Sequence, residues 1–319
     1  MKIAGREIGS GQPPYIIAEI SCNHRGDIAE AYRLIEAAKE AGADAVKFQA
    51  YTPDTITLAS HLPDFIIKDG PWKGRNLYDL YKKTHTPFHW FAPLFAYAKN
   101  RGITAFASVF DRTSIDLLER LDCPAYKIAS MEINDTPLIR YVRKTGKPII
   151  ISTGMASDSE IYDAAHAADM GLGNGSAFLA CVSSYPTKQE EFNFSRLRFL
   201  QQYVAPAGIS DHTAGATIPI AATAIGACII EKHLMTGTED TEDFAFSMTP
   251  TEFSIMVREV RNIWQAMQPP KNDAESSSRQ LRLSLYVVRD IQAGEKFAEE
   301  NIRSIRPAYG MEPSRLPWV

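Results

Sequence analysis

Chemically useful side chains recur at the ends of short apolar runs. His212 follows Gly208-Ile209-Ser210-Asp211, and His233 closes Cys228-Ile229-Ile230-Glu231-Lys232. Runs of this kind read as buried strands of a parallel sheet. Two neighbouring strands that each deliver an imidazole, each beside a carboxylate, would suit a divalent metal with open positions for water or substrate. Spacing alone fits two hydrogen-bonded scaffold histidines equally well. His61, His85, His89 and His166 fall in insertions or helices and are expected to be surface or packing residues.

The same placement repeats along the chain. Run ends carry Glu19, Ser21, Asn23 and His24; Lys47 and Gln49; Ser108; Lys127 and Ser130; Ser152 and Thr153; Ser183, Ser184 and Tyr185; Ser210, Asp211 and His212; Glu231, Lys232 and His233. So many decorated ends argue for a functional rim, whereas Asp111 and Ser157 have the positions of helix N-caps. Lys47 and Lys127 lie inside apolar runs, where an ammonium needs an anion nearby. With the hydroxyls of Ser108, Ser130, Ser152 and Ser183 they suit a phosphate or carboxylate ligand. Internal salt bridges are the open alternative.

These groups need elements to position them. Strand-like runs at Tyr15–Ile20, Ala45–Phe48, Thr104–Ser108, Ala125–Ile128, Pro148–Ser152, Ala177–Cys181, Ala207–Ser210 and Cys228–Glu231 alternate with helical stretches. The helices are expected at Ile28–Ala41, Trp90–Arg101, Thr113–Leu121, Thr136–Thr145, Ser157–Ala168, Ser195–Tyr203, Thr217–Ile225 and Pro250–Met267. Eight βα units imply an α/β fold closed as a (β/α)8 TIM barrel, with its chemistry at the strand C-termini. The competitor is an open doubly wound sheet, weakened because no G-x-G-x-x-G follows a strand. The aromatic-rich insertion from Phe65 to Trp90 would serve as a lid or as a cover for the barrel end. The barrel is expected over 1–268, a Pro/Ser-rich linker over 269–278, and a small module over 279–319, marginal for independent folding at about 40 residues.

The 319 residues are 45% hydrophobic and 23% charged, with net charge −4. That balance points to neither nucleic acid nor a membrane as partner. No apolar run approaches the roughly 20 residues of a bilayer span, and the start lacks a signal-peptide core, so a cytoplasmic location is expected. Four scattered cysteines read as reduced thiols.

Six segments, in order, resemble the sialic acid synthase family: Ile17–His24, Asp44–Gln49, Ala125–Ser130, Ile151–Gly154, Ser210–Thr213 and Ile230–His233. Tyr51–Thr55, Asp64–Lys68, Leu77–Tyr81, Glu242–Ser247 and Ser304–Pro307 resemble one branch of it, whose acceptor is a diacetamido trideoxy sugar. The resemblance implies condensation of phosphoenolpyruvate with an aldehyde sugar, addition of water, and loss of phosphate by C–O cleavage. It implies a divalent metal, Mn²⁺ or Mg²⁺ with Co²⁺ also possible, on His212 and His233. Phosphoenolpyruvate contacts fall on Lys47, Ser108, Lys127, Ser130, Ser152 and Ser183, and sugar contacts on Gln49, Tyr185 and Asp243. Glu19 is the candidate to stabilise the oxocarbenium or act on the attacking water. The tail resembles an antifreeze-like (SAF) module, shortened because it stops at Val319. In the family a matching arginine, here Arg306, reaches the sugar of the other subunit, implying a domain-swapped homodimer. A Schiff-base aldolase using Lys47 or Lys127, a synthase for another sugar of the family, and an inactive sugar-binding homologue remain alternatives.

Overall fold

The computed structural model describes residues 1–168, 175–204, 206–237, 241–270 and 272–318. The chain divides into two compact units, Met1–Met267 and Gln268–Val319.

The first unit opens with an antiparallel pair, β1 (Lys2–Ile3) and β2 (Arg6–Glu7). The alternation then begins: β3 (Tyr15–Glu19), α1 (Ile28–Glu40), β4 (Ala45–Ala50), α2 (Pro53–Ile56), α3 (Leu77–Thr84), α4 (Phe91–Asn100), β5 (Thr104–Val109) and α5 (Arg112–Glu119). It continues through β6 (Tyr126–Ile128), α6 (Thr136–Arg143), β7 (Ile149–Ser152), α7 (Asp158–Ala168), β8 (Ser176–Ala180) and α8 (Phe194–Tyr203). It ends with β9 (Ala207–Asp211), α9 (Thr217–Ala224), β10 (Ile229–His233) and α10 (Pro250–Ala266). Strands β3 to β10 pair in sequence, and β10 pairs back onto β3, closing an eight-stranded parallel barrel. This is the expected TIM barrel and excludes the open sheet.

The strands form where β-branched and small apolar residues leave both faces buried, as at Ile149–Ser152 and Ile229–His233. The helices start at side-chain caps. Asp27 accepts from the Ala29 N–H and Asp111 from the Thr113 and Ser114 N–H groups. Thr249 and Glu252 make a reciprocal capping box ahead of Pro250. Ser157 and Glu160 cap each other at α7, as its position suggested. Strand β10 runs two residues past its expected end because Ile229–His233 stays in register with Tyr15–Glu19. That register sets His233 directly beside Glu19.

In the second unit α11 (Ser276–Arg279) forms a helical turn inside the segment expected to be linker. Strands β11 (Ser284–Val287) and β12 (Ile302–Ile305) follow as an antiparallel hairpin.

One glycine controls the approach of the two histidine-bearing strands. A Cβ on Gly208 would overlap the Ile229 carbonyl oxygen and lie 2.8 Å from the Ile229 nitrogen and Cβ. Gly208→Ala should therefore part β9 from β10 at a cost of about 2–3 kcal/mol, read as a Tm lower by roughly 5 °C. An unchanged Tm would show that the strands can separate freely.

Candidate active site

The strand C-termini open into a cavity of about 610 Å³. Its lining includes every barrel residue expected at the site: Glu19, Lys47, Gln49, Ser108, Lys127, Ser130, Ser152, Ser183, Tyr185, His212, His233 and Asp243. Arg306 belongs to the second unit, where it is exposed just after β12. A separate hollow of about 700 Å³, at the N-terminal ends of the strands, is lined by Met1, Lys2, Glu7, Ser10, Gln12 and Pro148. It gathers no comparable set of reactive groups.

The floor is a buried ion network. Lys47 Nζ contacts the Glu19 carboxylate, lies 3.4 Å from Glu231 Oε1 and donates to Ser108 Oγ at 2.9 Å. Lys127 Nζ lies 3.4 Å from the same Glu231 oxygen and donates to Ser152 Oγ at 2.7 Å. Ser210 Oγ donates to Glu231 Oε1 at 2.8 Å. The salt-bridge and ligand readings of the lysines thus coincide: they are paired, and the pairs line the cavity. Burial works to raise Glu231, but Lys127 and Lys47 overcome it and hold the carboxyl well below its usual range. Burial also opposes the charge on Lys47, yet Glu19 and Glu231 keep its pKa raised. Lys127 goes the other way, pulled down by burial with Lys47 adding to the effect against Glu231. Two ammoniums face two carboxylates, so these four groups sum to zero net charge.

Glu19 is aimed by its own backbone turn. Ser21 adopts a left-handed conformation (φ 45°), and its N–H donates to Glu19 Oε1 at 2.7 Å. The hydroxyls gather around Gly154. Its N–H donates to Ser130 Oγ at 3.1 Å, while a Cβ there would overlap Ser183 Oγ and lie 3.0 Å from Ser130 Oγ and Cys181 Sγ. Ser183 Oγ is buried with no partner among the described residues, a donor left for a ligand.

The histidines stand side by side, ring centroids 5.4 Å apart. His212 Nδ1 lies 3.1 Å from the Val182 carbonyl, which can only accept, so Nδ1 carries the proton and Nε2 keeps a lone pair. Burial, helped by His233, pushes the His212 pKa down to about 3. His233 Nδ1 lies 3.2 Å from Asp243 Oδ2, yet it is buried without an aligned hydrogen bond. Burial tends to raise Asp243, and His233 outweighs it, holding the carboxylate below its ordinary value. A neutral imidazole with a free lone pair, next to a second imidazole with an orphaned nitrogen, fits a divalent cation. Among the described residues no three His, Cys, Asp or Glu side chains form a ready-made cage. A cation here would draw its remaining ligands from water or substrate.

Five expected rim residues turn elsewhere, among them Lys232 and Thr153, whose hydroxyl donates to the Leu179 carbonyl at 3.1 Å. Asp211, expected beside the imidazole, lies on the outward face of β9 and pairs with Lys232 at 2.7 Å, both side chains fully buried. The strand alternation sends Ser210 inward and Asp211 outward. Asn23 bridges loops, its Nδ2 donating to the Leu234 carbonyl and Ser247 Oγ at 2.9 Å each. His24 accepts from the Gly26 N–H at Nδ1 and sits 3.1 Å from Thr86 Oγ1, with burial lowering its pKa to about 4. His61, His89 and His166 are exposed, as expected.

Other lining groups carry weaker sequence signals. Glu231 shares the parity of His233, and that two-residue step was the available clue. Glu132 ends the turn after β6, with Oε2 buried and unpartnered. Burial lifts its pKa to about 7 against the pull of Lys127. Trp72, Tyr81 and Phe246 complete an aromatic upper wall. The aromatic insertion is thus part of the cavity wall.

A family model described as the NeuB family matches residues 34–272. The chain is 42% identical over 304 residues to the pseudaminic acid synthase of Campylobacter jejuni, spanning 94% of this chain and 89% of that one. It is 41% identical over 308 residues to the pseudaminic acid synthase of Helicobacter pylori, spanning 95% and 91%. The N-acetylneuraminic acid synthetase of Leptospira borgpetersenii, solved with citrate, superposes with a TM-score of 0.77 at 31% identity. That match covers 88% of this chain and 93% of the other.

Glu132 gives a pH test. Its folded pKa of about 7 lies above the ordinary 4.5, so the folded protein binds this proton more tightly than the unfolded chain. Its stabilising contribution is complete below the ordinary value and is lost as pH rises toward and through 7. Glu132→Gln should match wild type in Tm near pH 4 and exceed it near pH 8. A Tm difference that does not change with pH would refute the burial of this carboxyl.

Proposed function

The chain belongs to the NeuB family, and from that membership we propose that it is a pseudaminic acid synthase. Phosphoenolpyruvate condenses with 2,4-diacetamido-2,4,6-trideoxy-L-altrose. The enol C3 forms the new C–C bond to the aldehyde carbon, water adds at C2, and the C2–O bond to phosphate breaks. Pseudaminate and inorganic phosphate result. One observation supports the reading above the others: the lysine–serine floor and the paired imidazoles face the same cavity.

Lys47 and Lys127, with the hydroxyls of Ser108, Ser130, Ser152 and Ser183, bind the phosphate and carboxylate of phosphoenolpyruvate. Glu19, held by the Ser21 N–H, faces the cation that develops at C2 and orients the incoming water. Gln49, Tyr185 and Asp243 bind the sugar. His212 and His233 would hold the divalent cation, Mn²⁺, Mg²⁺ or Co²⁺, which when bound supplies Lewis-acid polarisation of the open-chain aldehyde. The Val182 carbonyl fixes the His212 tautomer for that task. We assign the second unit to an antifreeze-like (SAF) module of a domain-swapped homodimer, with Arg306 reaching the sugar in the opposite subunit. A cytoplasmic location suits both substrates.

A Schiff-base aldolase is the second reading, favoured by the lowered pKa of Lys127. Borohydride reduction with pyruvate and mass spectrometry separates the two. A modified Lys127 supports the aldolase, and an unmodified one rejects it.

Protein supplied with Mn²⁺, phosphoenolpyruvate and the trideoxy altrose should release phosphate, and EDTA should stop the release. His212→Ala should lower kcat/KM by on the order of a hundredfold. Release only with N-acetylmannosamine or the legionaminate precursor would move the assignment to another synthase of the family. Gly154→Ala should raise the KM for phosphoenolpyruvate by on the order of tenfold or more by filling the hydroxyl floor. A KM unchanged in that variant would remove Ser130 and Ser183 from the phosphoenolpyruvate site.

A further inference from the structure

We propose that the insertion between β4 and β5 is the subsite that selects a diacetamido deoxy sugar, with the Trp72 indole N–H as donor to an acetamido carbonyl. This rests on reading the acceptor as an acetamido sugar.

The cavity has two chemically different halves. Its floor, from the barrel strands, is lysine, serine and carboxylate. The insertion adds Ile56, Ile67, Trp72, Leu77, Leu80 and Tyr81 to the wall, and Asp69 is its only charged lining residue. An apolar wall of this kind has no use for phosphoenolpyruvate, whose anionic groups need the floor. It suits the methyl groups of acetamido substituents and the methyl of a 6-deoxy sugar. A hexose with free hydroxyls at C4 and C6 would set them against Ile67, Leu77 and Leu80, which offer no hydrogen bonds, and is disfavoured there.

Trp72 supplies the polar element. Its Nε1–H is buried with no acceptor among the described residues. A buried indole donor is costly unless matched, and an amide carbonyl is an acceptor of the right kind. Its ring lies 5.7 Å from that of Tyr185, which lies 4.5 Å from His212 and 5.1 Å from Phe246. This aromatic chain places Trp72 at the imidazole end of the cavity, where an aldehyde sugar would sit.

The insertion is also tied down. Glu242 pairs with Arg75 at 2.5 Å and Lys83 at 2.7 Å, and the Tyr51 hydroxyl meets Thr84 Oγ1 at 2.8 Å. The first two contacts link the wall to the loop after β10, and the third joins the start of the insertion to the end of α3.

Steady-state kinetics of wild type and Trp72→Phe test the assignment, with the trideoxy diacetamido sugar and N-acetylmannosamine as alternative acceptors. Phenylalanine keeps the ring and removes the N–H. The KM for the diacetamido sugar should rise about tenfold, the loss of one buried hydrogen bond. The KM for phosphoenolpyruvate should not move, kcat should stay within about twofold, and the preference over N-acetylmannosamine should shrink. Trp72→His, which returns a ring N–H, should recover part of the lost KM. An unchanged sugar KM, or equal rises for both substrates, would overturn the subsite. Wild type inactive on the diacetamido sugar would instead sink the proposed synthase activity, whatever the variant does.

Discussion

The barrel interior depends on Glu231. Its carboxylate stands 3.4 Å from both Lys47 and Lys127, and all three are buried. Two ammoniums there without a counter-charge would repel each other and lose their hydration. Glu231 and Glu19 make the arrangement tolerable, and Ser108, Ser152 and Ser210 add hydrogen bonds to it, while Glu231 Oε2 stays buried without a partner among the described residues. Such a network adds little net stability over an apolar core. Its value lies in what can displace it: an anionic ligand entering an already neutral cluster must exchange partners with a carboxylate. An anion bound there would have to rearrange ion pairs within the floor, which would free carboxylates in the same cavity.

Strand alternation decides which charges join that network. Ser210 and Glu231 face inward at paired positions, while Asp211 and Lys232, next along each strand, pair outward. The outer pair is fully buried, with Lys232 also donating to the Thr213 carbonyl. A one-residue slip of β10 would exchange Glu231 for Lys232 inside the barrel. Three ammoniums would then face Glu19 alone. The outer ion pair thus acts as a register lock for the inner site, and Gly208 lets the two strands approach closely enough for both.

Much of this was legible in the amino-acid order. Eight apolar runs separated by amphipathic stretches admit few folds, and strand ends are where barrel chemistry collects. His212, His233, Lys47, Lys127 and the serines followed from that rule. Side-chain direction did not. Asp211 and His212 are adjacent, and only the register shows that the carboxylate leaves the site. Asn23 and His24 lie past β3, where the left-handed turn at Ser21 redirects the chain, so they tie loops together. In the insertion only α3 has a period, and Leu77, Leu80, Tyr81 and Thr84 follow it toward the cavity, whereas the loop around Trp72 has none and its wall role emerged from the fold alone.

The two halves of the cavity have different physical origins. The floor is set by backbone hydrogen bonds around a closed sheet, so its groups cannot move singly. The wall hangs from loops and is pinned in part by ion pairs whose cationic members, Arg75 and Lys83, are 46% and 68% exposed. Exposed pairs of that kind are individually weak, commonly under about 1 kcal/mol. Rigid groups suit chemistry that tolerates little misplacement, whereas recognition of a sugar's substituents can be rebuilt by changing a loop. One barrel can therefore keep a fixed condensation floor while its insertion determines which acceptor reaches it.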